Sequence, residues 1–401
     1  MIPQPPADTD FRSASPQALA AALRACRADT LATLDRFEAA LPDLQVPQVG
    51  TLNPPRWELG HIGWFQQHWL ARNPQRHLGH RADPLAPRRP ARAPDSDALF
   101  DSTRVAHPSR WQLPLPAVAA LRESLEDGLH RSLKLLQEGS DTDDALYFFR
   151  LALAHEDMHH EAALYMAQAL ELPSAPARWQ PRPLTTGREP LSFDAGAFEQ
   201  GGHGAGFVFD NELGAFTARL PASCIDSQAL CWDDYLPFVD AGGYAQPRWW
   251  SAAGQAWLQS SGLRAPCYLR GKPWQVLTAG QWQPLDRALP ACHLSAFEAE
   301  AWCAWAGRRL PSEGEWERAA GQAGPAFAWG DVWEWTASTF APYPGFVAHP
   351  YLDYSAPWFG SRRVLRGASF GTQPRLHHPR YRNFFTPDRN DIFAGFRSCA
   401  L

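Results

Sequence analysis

The 401-residue sequence predicts a multidomain α and α+β protein, with a helical N-terminal half joined to an irregular C-terminal half. Three observations carry that prediction. Apolar residues recur at helical spacing in four long windows before residue 172. The stretch 173–190 is crowded with proline, as a stiff linker is. Beyond it, short apolar and aromatic pieces alternate with Gly, Pro, Asn and Asp, and few clear helices remain. The expected organisation is a four-helix bundle over 1–172, a linker over 173–190 and a second domain over 191–401.

Ser15-Pro16 places an N-cap before a proline at the first helical position. From there to about residue 41, Leu19, Leu23, Cys26, Leu31, Leu34 and Phe37 mark the first helix. The second, about 54–71, carries Trp57, His61, Trp64, Phe65, His68 and Trp69. The polar stretch 73–114 is too long for a plain bundle loop and is expected to be either disordered or functional. A third helix, 116–138, aligns Val118, Leu121, Leu125, Leu129, Leu133 and Leu136 and stops at Gly139. Ser140 or Asp141 is expected to cap the fourth, which runs through Leu146, Phe149, Leu153, His155, His159 and Leu164 to Leu172. In the second half, helices are expected at 295–306 and 311–320, and Ser312 with Glu315 reads as a capping box.

Composition excludes several classes. With 45% hydrophobic and 20% charged residues, the chain has enough apolar matter for a real core. A net charge of −5 and the lack of any long basic run argue against nucleic acid or an anionic membrane surface as partner. No apolar window is long enough for a transmembrane helix. The polar, Pro-rich start lacks the basic and apolar regions of a secretory leader, so a cytoplasmic location is expected. Seven scattered cysteines without a Cys-x-x-Cys pair argue against a disulfide framework and a zinc knuckle.

The strongest chemical signal lies on the fourth helix. His155 and His159 are i and i+4, share one face and can grip one ion. No metalloprotease base is read on this helix. Glu161 is turned away from His155 by about 600° of helical rotation and reads as support, not as a ligand. Two imidazoles do not hold a catalytic metal alone. The second helix offers His61 and His68 on one face, and spacing does not choose between them. Three His on facing helices leave coordination positions open, which suits zinc hydrolysis and iron–oxygen chemistry equally. In the second half, Tyr351, Tyr354, Arg380, Arg382, Asn383 and Arg389 lie among aromatics. There an arginine can take a carboxylate and rings can take a quaternary ammonium, with buried structural ion pairs as the competing reading.

The first half resembles a DinB-like four-helix domain with its HxxxHxE pattern, here His155, His159 and Glu161. The second resembles the formylglycine-generating-enzyme/sulfatase-modifying-factor fold, a C-type-lectin-like domain. The matching pieces are Phe209-Asp210-Asn211-Glu212, the segment 302–317, Val332-Trp333-Glu334-Trp335, Arg366-Gly367-Ala368-Ser369 and Gly395-Phe396-Arg397. Together they resemble the ergothioneine-type sulfoxide synthases. That resemblance implies non-haem Fe(II) held by His61, His155 and His159, O2 as co-substrate, and hercynine (Nα-trimethylhistidine) as substrate. It selects His61 over His68 because the segment 57–65 is similar to the family's ligand segment. It also implies a role in oxygen chemistry for Tyr351, with Tyr354 beside it. Arg382-Asn383-Phe384-Phe385 and Arg389 resemble the substrate segment, with Asn383 meeting hercynine and Arg389 the polar groups of the second substrate.

Three positions depart from the pattern. Phe385 stands where an acidic residue serves a γ-glutamylcysteine substrate, Met158 replaces a polar residue, and Leu99-Phe100-Asp101-Ser102-Thr103-Arg104 lacks paired tyrosines. The departures resemble the selenoneine synthase branch, which uses a selenosugar-derived donor in place of a thiol. Two other readings compete. A formylglycine-generating copper oxidase needs a thiolate pair near the C-terminal Arg-rich segment, where 376–382 has no cysteine. A non-catalytic lectin-like binding module does not explain three converging histidines.

Overall fold

The computed structural model describes residues 10–93, 95–173, 176–184 and 187–401. The polar start read as lacking a leader lies mostly outside them. Helix α1 (Pro16–Ala40) begins as its sequence dictates, with the Ser15 hydroxyl accepting from Ala18 N. Helices α2 (Pro55–Trp69), α3 (Ser96–Phe100), α4 (Val118–Glu138) and α5 (Asp143–Ala169) follow. α1, α2, α4 and α5 pack as a four-helix bundle, with α5 against α1 and α2. The cap of α5 is Thr142, not Ser140 or Asp141, because its side chain reaches Ala145 N.

The described residues of the stretch 73–114 are ordered. They carry two 3-10 turns, Arg76–Arg81 and His107–Gln112, with α3 between them. They are fastened to α2 by Trp57 Nε1–H to Leu99 O (2.8 Å) and Trp64 Nε1–H to Asp97 (2.6 Å). The described residues of the Pro-rich stretch also pack down, with Trp179 buried and Leu184 N–H donating to Ala288 O.

The second domain is a mixed set of short strands: β1 (Pro190–Phe193), β2 (Gly196–Gln200), β3 (Phe216–Leu220) and β4 (Ser223–Asp226). Helices α6 (Trp232–Asp240) and α7 (Ala252–Ser261) come next. Then follow β5 (Leu269–Arg270), β6 (Gln275–Thr278), β7 (Gln281–Pro284), α8 (Ala296–Ala306), β8 (Arg308–Arg309) and α9 (Glu313–Gln322). The chain ends with β9 (Trp333–Thr339), β10 (Arg363–Gly367), β11 (Asn383–Phe385), β12 (Ala394–Gly395) and β13 (Cys399–Ala400). Helices α8 and α9 both start on capping boxes, Ser295/Glu298 and Ser312/Glu315. β9 is central in the sheet β11-β10-β9-β12, and β4 and β13 are central in β1-β4-β13-β8.

The arginines of the C-terminal motifs are struts. Arg397, fully buried, gives Nε and Nη2 to the Glu334 carboxylate (2.5 and 2.7 Å) and Nη1 to Asp226 O. Arg366 pairs with Glu317. Buried charge is tolerated only when paired, because desolvation costs several kcal/mol per ion. Arg397→Ala leaves Glu334 buried without its cation and is expected to lower unfolding free energy by about 3–5 kcal/mol. Denaturant titration checks this, and a loss under about 1 kcal/mol would show that the pair is not a strut.

Candidate metal centre

His61 sits on α2, one turn after Trp57, which lies flat on its ring (4.7 Å between centroids, 11° between planes). Its Nδ1 is 2.8 Å from Phe100 O. A carbonyl only accepts, so the proton is on Nδ1 and the Nε2 lone pair is free. Phe100 approaches because residue 60 is glycine. A Cβ at Gly60 would lie 2.0 Å from the Phe100 ring, so any other residue would push the carbonyl's segment away.

His155 and His159 descend from α5. The His155 ring is stacked on Phe65 at 3.5 Å and 2°. Its Nε2 lies 3.2 Å from His61 Nε2, and its buried Nδ1 has no partner. His159 directs Nδ1 to Glu58 Oε2 at 2.5 Å, which leaves its Nε2 for an ion. One nitrogen from each of the three rings falls within 4.8 Å of the other two. Burial pushes the His61 pKa down to about 3 and His155 well below its usual value, so both present neutral nitrogen. Two buried imidazole nitrogens 3.2 Å apart, beside a third imidazole oriented by a carboxylate, fit a borderline transition-metal cation.

His68 is not in the cluster. Seven residues along α2 it shares the face of His61 but lies about 10 Å further on, between Trp64 and Trp69. The sequence around the pair is in fact His-Glu-x-x-His. Glu156, the base candidate of such a pattern, turns into the bundle and pairs with Arg27 (2.7 Å) and Thr30 (3.0 Å), so it is spent on structure. Glu161 accepts from Trp333 Nε1 (2.8 Å), Ser369 Oγ (2.5 Å) and Thr372 Oγ1 (2.9 Å), which ties α5 to the second domain.

An open cavity of about 210 Å³ reaches His159. Its walls include Met158, Tyr165, Trp333, Tyr381, Asn383 and Phe385. Strand alternation sorts the segment 382–385. Asn383 and Phe385 face the cavity, while Arg382 and Phe384 face the opposite way onto Phe340. Arg382 is saturated by Glu313, Asn211 O and Ala341 O, so its expected place against substrate is corrected to a structural one, as is that of Phe384. Arg389 pairs with Asp391 and lies over Phe385 and Tyr165, two residues of the cavity wall. The Tyr351 ring is 4.9 Å from Phe65 and 6.1 Å from His155. The Tyr354 hydroxyl meets Tyr381 (3.3 Å).

The sulfatase-modifying factor enzyme 1-like domain family matches residues 176–331 and 328–400. Hercynine oxygenase of Mycobacterium tuberculosis is 32% identical over 435 residues, covering 96% of this chain and 98% of its own. The chain belongs to the hercynine oxygenase family. A second such relative, from Mycolicibacterium smegmatis, is 32% identical over 86% of this chain and 90% of its own. The formylglycine-generating enzyme of Streptomyces coelicolor is 30% identical over 59% of this chain and 96% of its own. Unlike the full-length relatives, that protein matches only part of this hercynine oxygenase family member.

Sequence reasoning missed Glu58 and Tyr381. Glu58 precedes His61 by three residues, a helical spacing that signals a shared face, but its contact with His159 depends on how α2 meets α5. His159→Ala is expected to abolish stoichiometric metal binding. Glu58→Ala is expected to weaken it about 10–100-fold, the usual effect of removing an orienting partner. Metal titration with elemental analysis checks both, and full occupancy in His159→Ala would overturn the ligand set.

Proposed function

We propose that the chain is a non-haem Fe(II)- and O2-dependent synthase. It joins a selenosugar-type selenium donor to the imidazole of hercynine. The observation that carries the reading is the convergence of His61, His155 and His159 from two helices beside a cavity that the second domain walls. Family membership supports the hercynine and oxygen parts. Fe(II) held by the three imidazoles would supply the oxygen-dependent redox chemistry that joins the two substrates.

The chain's own residues bind, orient and keep out water. Asn383 Oδ1 already accepts the Phe384 N–H (2.9 Å), so its amide N–H groups are left to meet a substrate carboxylate. The ring faces of Trp333, Tyr381 and Phe385 suit a trimethylammonium group. Tyr351, packed between Phe65 and Tyr354, is the phenol beside the triad and would hold or release a proton at its hydroxyl. Arg389, held by Asp391, would act at longer range on the polar groups of the second substrate.

The donor assignment rests on the walls. Met158 and Phe385 are apolar, and the carboxylate of Glu161 is saturated by three donors. A neutral, sugar-type donor suits such a wall better than an amino-acid thiol that needs a charged partner. A second reading, coupling of cysteine or γ-glutamylcysteine as in the ergothioneine-type sulfoxide synthases, is favoured by the identity to the two hercynine oxygenases.

Aerobic incubation with Fe(II), hercynine and, in parallel, cysteine, γ-glutamylcysteine or a selenosugar separates these readings by product mass. The selenium adduct is expected. A sulfur adduct alone would transfer the assignment to the second reading, and no hercynine adduct with any donor would overturn both. Tyr351→Phe is expected to keep the metal but divert turnover toward simple oxidation of the donor. Wild-type rate and product would remove Tyr351 from the chemistry.

A further inference from the structure

The tripeptide Asp210-Asn211-Glu212 forms one buried 3-10 turn and touches none of the three histidines. Its contacts nevertheless run to the segment 349–355, to the residue just ahead of β11 and to the entry of the bundle. Asp210 Oδ2 accepts the His349 N–H (3.2 Å), and Oδ1 accepts the Ser355 hydroxyl (2.5 Å). Asn211 Nδ2 donates to the same Ser355 oxygen (3.0 Å), and its carbonyl accepts Arg382 Nη1 (2.7 Å), just ahead of β11. Glu212 takes a bidentate pair from Arg12, at the entry to the bundle (2.6 and 2.9 Å). The preceding Phe209 ring lies against Tyr354 at 4.6 Å and 25°.

One carboxylate therefore holds both ends of the segment 349–355, and that segment carries Tyr351 and Tyr354. It has no helix or strand of its own, so its shape is decided by what its ends are tied to. Tyr147, on α5, adds a third tie by reaching His349 Nδ1 with its hydroxyl (3.0 Å). We propose that Asp210 is a positioning residue that closes the 349–355 loop and thereby sets the Tyr351 and Tyr354 rings against the metal-site wall. The proposal rests on the reading of Tyr351 as a working residue. Because the Asp210 carboxylate accepts two donors at once, an amide of the same size, which accepts on one oxygen only, takes the acceptor away from either the His349 N–H or the Ser355 O–H and weakens that tie.

The test uses the full chain loaded with Fe(II). Asp210→Asn is expected to raise amide hydrogen exchange in 349–355 at least tenfold relative to the wild type, at unchanged iron stoichiometry. It is also expected to lower kcat at least tenfold, with KM for hercynine within about twofold, and to shift product toward simple donor oxidation, the shift expected of Tyr351→Phe. Ser355→Ala, which removes the tie at 355 and leaves the one at 349, should raise exchange and lower kcat in the same direction. Unchanged exchange in Asp210→Asn would overturn the clasp, as would raised exchange with wild-type kcat and product ratio. If Tyr351→Phe is impaired while Asp210→Asn is not, the tyrosine reading stands and the positioning role falls. If Tyr351→Phe and Tyr354→Phe both match the wild type while Asp210→Asn is impaired, the tyrosines are not what Asp210 positions, and the proposal is overturned.

Discussion

Helix α5 is buried from both sides, and the placement of seven consecutive side chains on it governs how the rest of the site is built. His155 faces His61, and Glu156 is neutralised by Arg27 within the bundle. Asp157 is neutralised by Arg375 of the second domain, and Met158 Sδ meets the Tyr381 hydroxyl. His159 is oriented by Glu58, His160 meets Thr33, and Glu161 collects three donors from the second domain. A helix turns 100° per residue, so such a run necessarily visits every direction. Three carboxylates within one and a half turns are affordable in a core only because each finds cations or donors on a different neighbour.

That arrangement makes the seam between the halves part of the site. Losing the second domain would leave Asp157 and Glu161 buried or newly solvated without their partners, and it would remove Trp333, Tyr381, Asn383 and Phe385 from beside His159. The metal-binding face and the domain-docking face are neighbouring stripes of one rigid rod. Its twist therefore fixes the position of the second domain relative to the histidines.

The ligand rings are held before any ion arrives. Trp57 and Phe65 lie flat on His61 and His155, and a carbonyl and a carboxylate fix the outer nitrogens of His61 and His159. With its Nδ1 unpartnered, neutral His155 carries its proton on Nε2 and donates it to the His61 Nε2 lone pair, and a bound cation would take that proton's place. The stretch 73–114 belongs to the same device. It delivers the Phe100 carbonyl, and Gly60 leaves room for it.

The sequence alone was enough to specify what depends on neighbours a few residues away. The four long helices, the capping box at Ser312, and the i,i+4 pairing of His155 with His159 are all set by local backbone geometry. The family was legible for the same reason, from short contiguous motifs. The resemblance, not the spacing, separated His61 from His68, because both satisfy one helical face. Packing decided the rest. His61 meets His155 across 94 residues, and Glu161 meets Thr372 across 211. Arg382 looked like a substrate group until β11 showed which of its faces is buried, since alternate residues of a strand point opposite ways and only the neighbouring layers say which side is the cavity. Periodicity names the faces of an element, and tertiary contacts alone determine what each face meets.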